Sequence, residues 1–187
     1  MEKLLDVVYD FQQVDDDPKS VKYDFVSLGE KEVPKRVSFV PYKDSLSRFY
    51  NLGLTNITIN QTTGEETLSD MSRENNKGDG EKVIKTTFVC ALDFLSQNST
   101  AIVVFQGNTS LKQRLYKGSV NRNFEELSQV CVIKGGYFED LKLYVDPDTG
   151  EKTPAEKIDL RKVKYVPYTI SDSNKYHFIT FQLKEQD

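Results

Sequence analysis

The feature that most constrains the fold is the run Ala101-Ile102-Val103-Val104-Phe105, which is apolar at consecutive positions and is followed at once by Gly107-Asn108-Thr109. A short run apolar on both faces is what a covered central strand requires, and the Gly-Asn-Thr that follows ends it. Helical periodicity flanks the run on both sides. Upstream, Ile84, Phe88, Ala91, Leu92 and Leu95 recur at three- and four-residue steps, and the spacing predicts a helix over 81–97 opened by Asp79 or Gly80. Downstream, Leu111, Leu115, Val120, Phe124 and Leu127 predict a second helix over 109–128, with Gly118 weakening it by about 1 kcal/mol relative to Ala.

The rest alternates with period two. Lys22 to Val26 and Arg36 to Tyr42 flank a Gly29-Glu30 turn and read as an antiparallel pair. Phe49 to Leu54 and Asn56 to Ile59 follow, then a polar stretch, 61–80, that reads as a loop. Beyond the second helix, strands are expected at 130–133, 141–145, 163–166 and 176–181. Strands, two helices, then strands predict an α+β class with an antiparallel or mixed sheet, and not a repeating βαβ wind. A chain of 187 residues predicts one domain, 21–187, preceded by an acidic segment, 1–20, that is expected to fray.

Charge is distributed unevenly. The net −4 lies within residues 1–20, where Glu2, Asp6, Asp10, Asp15, Asp16 and Asp17 face only Lys3 and Lys19. The remaining 23 acids and 23 bases balance, which gives no general attraction to nucleic acid or acidic membranes. Within that balanced body, 101–122 contains Lys112, Arg114, Lys117 and Arg122 and no acid. No apolar run reaches the roughly 20 residues of a membrane span, and the N-terminus lacks the apolar core of a signal peptide, so a cytoplasmic location with reduced Cys90 and Cys131 is expected. The sequons at Asn56, Asn60, Asn98 and Asn108 are then chance matches.

Three segments, Phe49-Tyr50-Asn51-Leu52-Gly53-Leu54, Asn75 to Val83 (NNKGDGEKV) and Val104 to Tyr116 (VFQGNTSLKQRLY), together resemble a family of small bacterial proteins built on a domain of unknown function. Its members read roughly YNLxFGD, NNGDxxKVLxT and GSTxxRTxLYR, and the resemblance spans about residues 20–183. Two departures stand out: Asn108 replaces the Ser of the GST triplet, and Leu111-Lys112 stand where the first basic position falls. The stretch 147–162 is also longer than the connection usual in the family. The resemblance implies a fold and no reaction.

The strand-to-helix junction is the candidate site: Gly107, Asn108, Thr109, Lys112, Arg114 and Tyr116. Unpaired amides at a helix N-terminus attract anions, a glycine allows close approach, and cations in the opening turns oppose the helix dipole unless an anion offsets them. Ordinary capping by Asn108 or Thr109, with Leu111 and Leu115 facing a core, accounts for the same residues. Asn75 to Gly80 is a second loop that would complete a pocket if it packed beside the second helix.

The scarcity of reagents argues against conventional catalysis. The lone His177 shares a strand face with Ile179 and Phe181 and reads as structural; it cannot complete a Ser-His-Asp or Cys-His set, and no phosphate loop occurs. No cofactor or metal is expected. The two cysteines and His177 fall short of a zinc set, Asp15-Asp16-Asp17 reads as a solvated end, and Asp146 to Glu156 has Gly150 and Glu156 one position early for a calcium loop, so a hairpin turn fits better. The leading expectation is a binding or regulatory module for an anionic, phosphate-containing ligand. A nuclease-like or nucleotide-processing protein using Lys112, Arg114, Tyr116 and Arg122 is the second reading. A purely structural protein-interaction domain, using a sheet edge or the acidic segment, is the third.

Overall fold

A computed structural model describes residues 7–14, 20–42, 48–69, 78–107, 110–138, 143–145, 152–154 and 160–185. They fall into two compact units, 1–103 and 104–187. The class is α+β with mainly antiparallel pairing.

The first unit contains β1 (Phe11–Val14), β2 (Val21–Leu28), β3 (Glu32–Pro41), β4 (Phe49–Ile59), β5 (Glu66–Ser69) and helix α1 (Gly80–Gln97). β1 to β5 pair antiparallel, each with the next. Alternation explains which face is covered: Tyr23, Phe25 and Ser27 on β2, and Val33, Lys35, Val37 and Phe39 on β3, are all buried. α1 lies against this face. Phe94 stacks on Phe39 with centroids 4.3 Å apart and meets Tyr50 edge-on, while the Tyr23 hydroxyl donates to Asp93 at 2.8 Å. Phe88, Ala91 and Leu95 are buried as the periodicity requires, whereas Ile84 and Leu92 are half-buried at the margin of a stripe that also takes in Val83, Thr86, Thr87, Cys90 and Phe94. The two threonines sit inside the stripe because their hydroxyls donate back to the Lys82 and Val83 carbonyls.

Two expectations for this unit are corrected. The acidic segment expected to fray contains β1, because Tyr9 stacks on Phe25, Phe11 meets Tyr23 edge-on, and the Tyr9 N–H donates to the Thr86 hydroxyl. Asp15, Asp16 and Asp17 lie outside the described residues. The 61–80 stretch is not all loop: Asn60 closes a tight turn by accepting from Thr62 N–H at 2.9 Å, and Glu66–Ser69 returns along β4.

β6 (Ile102–Phe105) is the apolar run. The Ile102 N–H donates to the Arg48 carbonyl, Val103 and Val104 are fully buried, and Phe105 is nearly so, as burial on both faces demands.

The second unit contains α2 (Ser110–Arg122), α3 (Phe124–Val130), β7 (Cys131–Tyr137), β8 (Leu143–Val145), β9 (Lys152–Pro154), β10 (Lys164–Pro167) and β11 (Phe178–Leu183). β7 is flanked antiparallel by β10 and β11, and β8 pairs β9 as a separate ribbon. That ribbon is the hairpin expected around Asp146; its connection, 146–151, lies outside the described residues. The helix expected over 109–128 is broken. The break is at Asn123, whose backbone leaves helical geometry (φ −106°, ψ 14°) although its N–H still donates to the Ser119 carbonyl and its own carbonyl accepts from Leu127; its side-chain amide donates to the same Ser119 carbonyl. Leu115, expected to face a core, is 56% exposed. Val120 and Leu127 are buried and Phe124 is half-buried against Tyr168.

Among the described residues, no helix is long and apolar enough to cross a membrane. Cys90 and Cys131 are buried free thiols. Burial raises both, Cys131 to about 12, so each is protonated and unreactive at neutral pH.

Candidate functional site

β6 delivers the chain to Gly107, and α2 opens at Ser110 with no acid in its first turn. The Gly107 N–H donates to Gln113 Oε1 at 2.6 Å, and Gln113 Nε2 donates onward to the His177 carbonyl at 3.0 Å. Gln113 therefore ties three things together: the junction, the first turns of α2 and the residue before β11. A Cβ on Gly107 would collide with the Gln113 nitrogen and stand 2.7 Å from the Lys112 carbonyl carbon. The glycine is needed because the chain's own helix approaches it closely, not to admit a ligand.

The other candidates separate by burial. Tyr116 is buried and stacks on Phe105 at 4.3 Å between centroids, so it packs α2 onto β6. Arg114 is exposed and Lys112 half-buried. Arg122 follows Arg114 two turns on, also exposed, with its guanidinium near Gly118. Lys117 is half-buried, its Nζ 3.4 Å from the Asn174 carbonyl, and burial lowers it from the usual lysine value. Asn108 and Thr109 lie outside the described residues, as do Asn75, Asn76 and Lys77. Asp79 and Gly80 belong to the first unit.

His177 is fixed beside this junction. Its N–H donates to Gly136, and its Nδ1 accepts from Phe138 N–H at 3.3 Å, which leaves the ring proton on Nε2. Burial and the neighbouring Lys117 charge hold the imidazole below its usual 6.5. The unfolded chain then takes up the proton at higher pH than the folded one. Stability from this group is unchanged above about pH 6.5 and is lost as pH falls from there through the lower folded value. The unfolding temperature of the wild type should therefore drop relative to His177→Gln between pH 7 and pH 5, read from thermal melts of both; parallel curves would contradict the assignment.

A polar cluster in the first unit escaped the sequence reading. Asp79, at the start of α1, makes no side-chain cap to its own helix; its carboxylate accepts from the Tyr9 hydroxyl at 3.0 Å and from Ser27 Oγ. Lys35, only 7% exposed, donates to Asn56 Oδ1 at 2.7 Å. Burial lowers this lysine, and the nearby Asp79 charge partly restores it. The strand parity that places Val33, Val37 and Phe39 inward also places Lys35 there, and that was the available signal. On the opposite face, Arg36 forks onto both oxygens of Asp24 at 2.7 Å and reaches Glu66 at 3.0 Å. Among the described residues, no group of three His, Cys, Asp or Glu side chains is placed to hold a metal ion.

A family model covers residues 7–149, from the segment leading into β1 through the β6–α2 junction to β8. The chain belongs to DUF6934, a family of unknown function. No curated protein and no solved structure matches it. DUF6934 membership extends over both units and includes the candidate junction, but the family carries no assigned chemistry to transfer to Lys112 or Arg114.

Proposed function

We propose that this chain is a bacterial, cytoplasmic binding or regulatory module that holds an anionic, phosphate-containing ligand at the opening turns of α2. The observation that carries the reading is a helix start with no acid, followed by Lys112 and the exposed Arg114. Cations there oppose the helix dipole at a cost of about 0.3–1 kcal/mol each, which a bound anion reverses. The Gly107 N–H is already engaged by Gln113, so the ligand would meet the amides of the first turn and the exposed Arg114, with the Lys112 charge close by. Tyr116 serves the site by anchoring the helix to Phe105.

Calorimetric titration with inorganic phosphate and with a nucleoside triphosphate tests this. Arg114→Ala should weaken binding by about tenfold, the loss of one charge-assisted contact. Identical titrations for wild type and variant would overturn the reading. Arg114 is exposed, so the variant should keep its fold.

A further inference from the structure

One turn beyond its opening, α2 carries a second set of donors. Gln113, Lys117 and Asn121 recur every four residues and so share one face of the helix. That face meets the segment leading into β11 rung by rung. Gln113 Nε2 donates to the His177 carbonyl at 3.0 Å, Lys117 Nζ to the Asn174 carbonyl at 3.4 Å, and Asn121 Nδ2 to Ser173 Oγ at 3.2 Å. The outer rungs are neutral amides. The middle one is a half-buried cation, and its long contact with Asn174 is its one hydrogen bond among the described residues. An ammonium has three N–H groups, so a partly withdrawn lysine with a single carbonyl acceptor is under-compensated.

His177 supplies a second donor beside it. Phe138 N–H occupies Nδ1, so Nε2 carries the proton, and that N–H has no acceptor among the described residues. It is not sealed in the core either, since Ser119 Oγ is the buried side-chain polar atom left without a partner among them. The Lys117 charge acts on the ring, and no carboxylate offsets it. Asp172, the acid in the preceding turn, is engaged by Lys175 at 2.7 Å and by the Thr169 hydroxyl. We infer that Lys117 Nζ and His177 Nε2 together hold one tetrahedral oxyanion, a phosphoryl group of the ligand bound by α2. This rests on the reading of α2 as an anion-binding helix and adds two residues to its site. Arg114 lies three residues before Lys117, a spacing that makes them neighbours on the helix surface, so one ligand can reach both. The donors are held in advance: Gln113 fixes the His177 backbone and Phe138 fixes its ring. A bound anion would also turn the repulsion between Lys117 and a protonated His177 into two charge-assisted contacts.

The chain has one histidine, so its ring proton resonances report this site alone. Sulfate is the probe, because it stays a tetrahedral dianion from pH 5 to pH 8. Added to the full-length protein, sulfate should raise the pH at which the His177 ring titrates, and by linkage it should bind about tenfold tighter at pH 5 than at pH 8. Lys117→Gln should abolish the response of the ring with an unchanged circular dichroism spectrum. His177→Gln, titrated by calorimetry, should bind sulfate equally at both pH values. A ring midpoint that sulfate leaves in place, while sulfate still binds and Arg114→Ala weakens it, overturns this inference and leaves the anion-binding reading of α2 standing. No sulfate binding at either pH overturns both. A ring response that persists in Lys117→Gln, or a pH dependence that persists in His177→Gln, also overturns the inference.

Discussion

Gly107→Ala should lower stability by about 3 kcal/mol or more, at the upper end of overpacking costs, and so depress the unfolding temperature by about 6–12 °C for a chain of this size. The reason is the identity of the atoms in the way. The added methyl would meet the backbone of Lys112 and Gln113, with the Lys112 carbonyl carbon at 2.7 Å and the Gln113 Cα at 2.8 Å. Backbone inside a helix has no rotamer to change, so relief requires α2 to move off the junction. That displacement would also break the Gln113 bridge from Gly107 to His177 and disturb the stacking of Tyr116 on Phe105. A thermal melt within 2 °C of wild type would show that the junction is looser than these contacts require.

Gly135→Ala should be comparably damaging for a different reason, and the difference is testable. Gly135 lies on β7, paired with Ile179 of β11 and Val166 of β10, and the ring of Tyr176 lies directly over it. A methyl there would collide with the near edge of the ring and sit 2.5 Å from Cε1. Tyr176 is itself buried, packs beside Tyr168, and its hydroxyl engages Thr169, so it cannot swing away freely. A loss of about 3 kcal/mol is expected for Gly135→Ala alone. Because the obstacle is a side chain, Tyr176→Ala should absorb the added methyl. The double variant should be less destabilised than the sum of the single changes by about 1–3 kcal/mol. Strict additivity would contradict the close packing of ring on glycine. No comparable side-chain rescue exists for Gly107.

These two glycines illustrate what was and was not legible beforehand. Gly107 was visible as a strand breaker ahead of a helix, and the strand, the helix and the junction are all present. Its role was misread as access for a ligand, because the approach of Gln113 to its amide depends on how tightly the chain turns back, which composition does not encode. Gly135 gave no signal, since its partner is 41 positions away in sequence. The α+β class and α1 were legible because an amphipathic period survives in the residue order. The split at Asn123 was not, because it turns on the backbone angles of one residue inside a stretch whose apolar spacing runs on unbroken. β1 was hidden by its acidic surroundings, although Tyr9 and Phe11 carried the aromatic alternation that seats it. Of the candidate site residues, Arg114 is exposed and Lys112 half-buried, whereas Tyr116 is committed to packing and Asn108 and Thr109 lie outside the described residues.

An anion held at the opening turns of α2 would perturb the amides around it. Amide chemical shifts recorded during titration of the full-length protein with inorganic phosphate test it most directly. Saturable shifts confined to residues around Lys112, Gln113 and Arg114 are expected, reduced in Arg114→Ala, with Lys35 and Asp79 in the first unit unmoved. Shifts absent from 110–116 at saturating phosphate, or equal in wild type and Arg114→Ala, would contradict it.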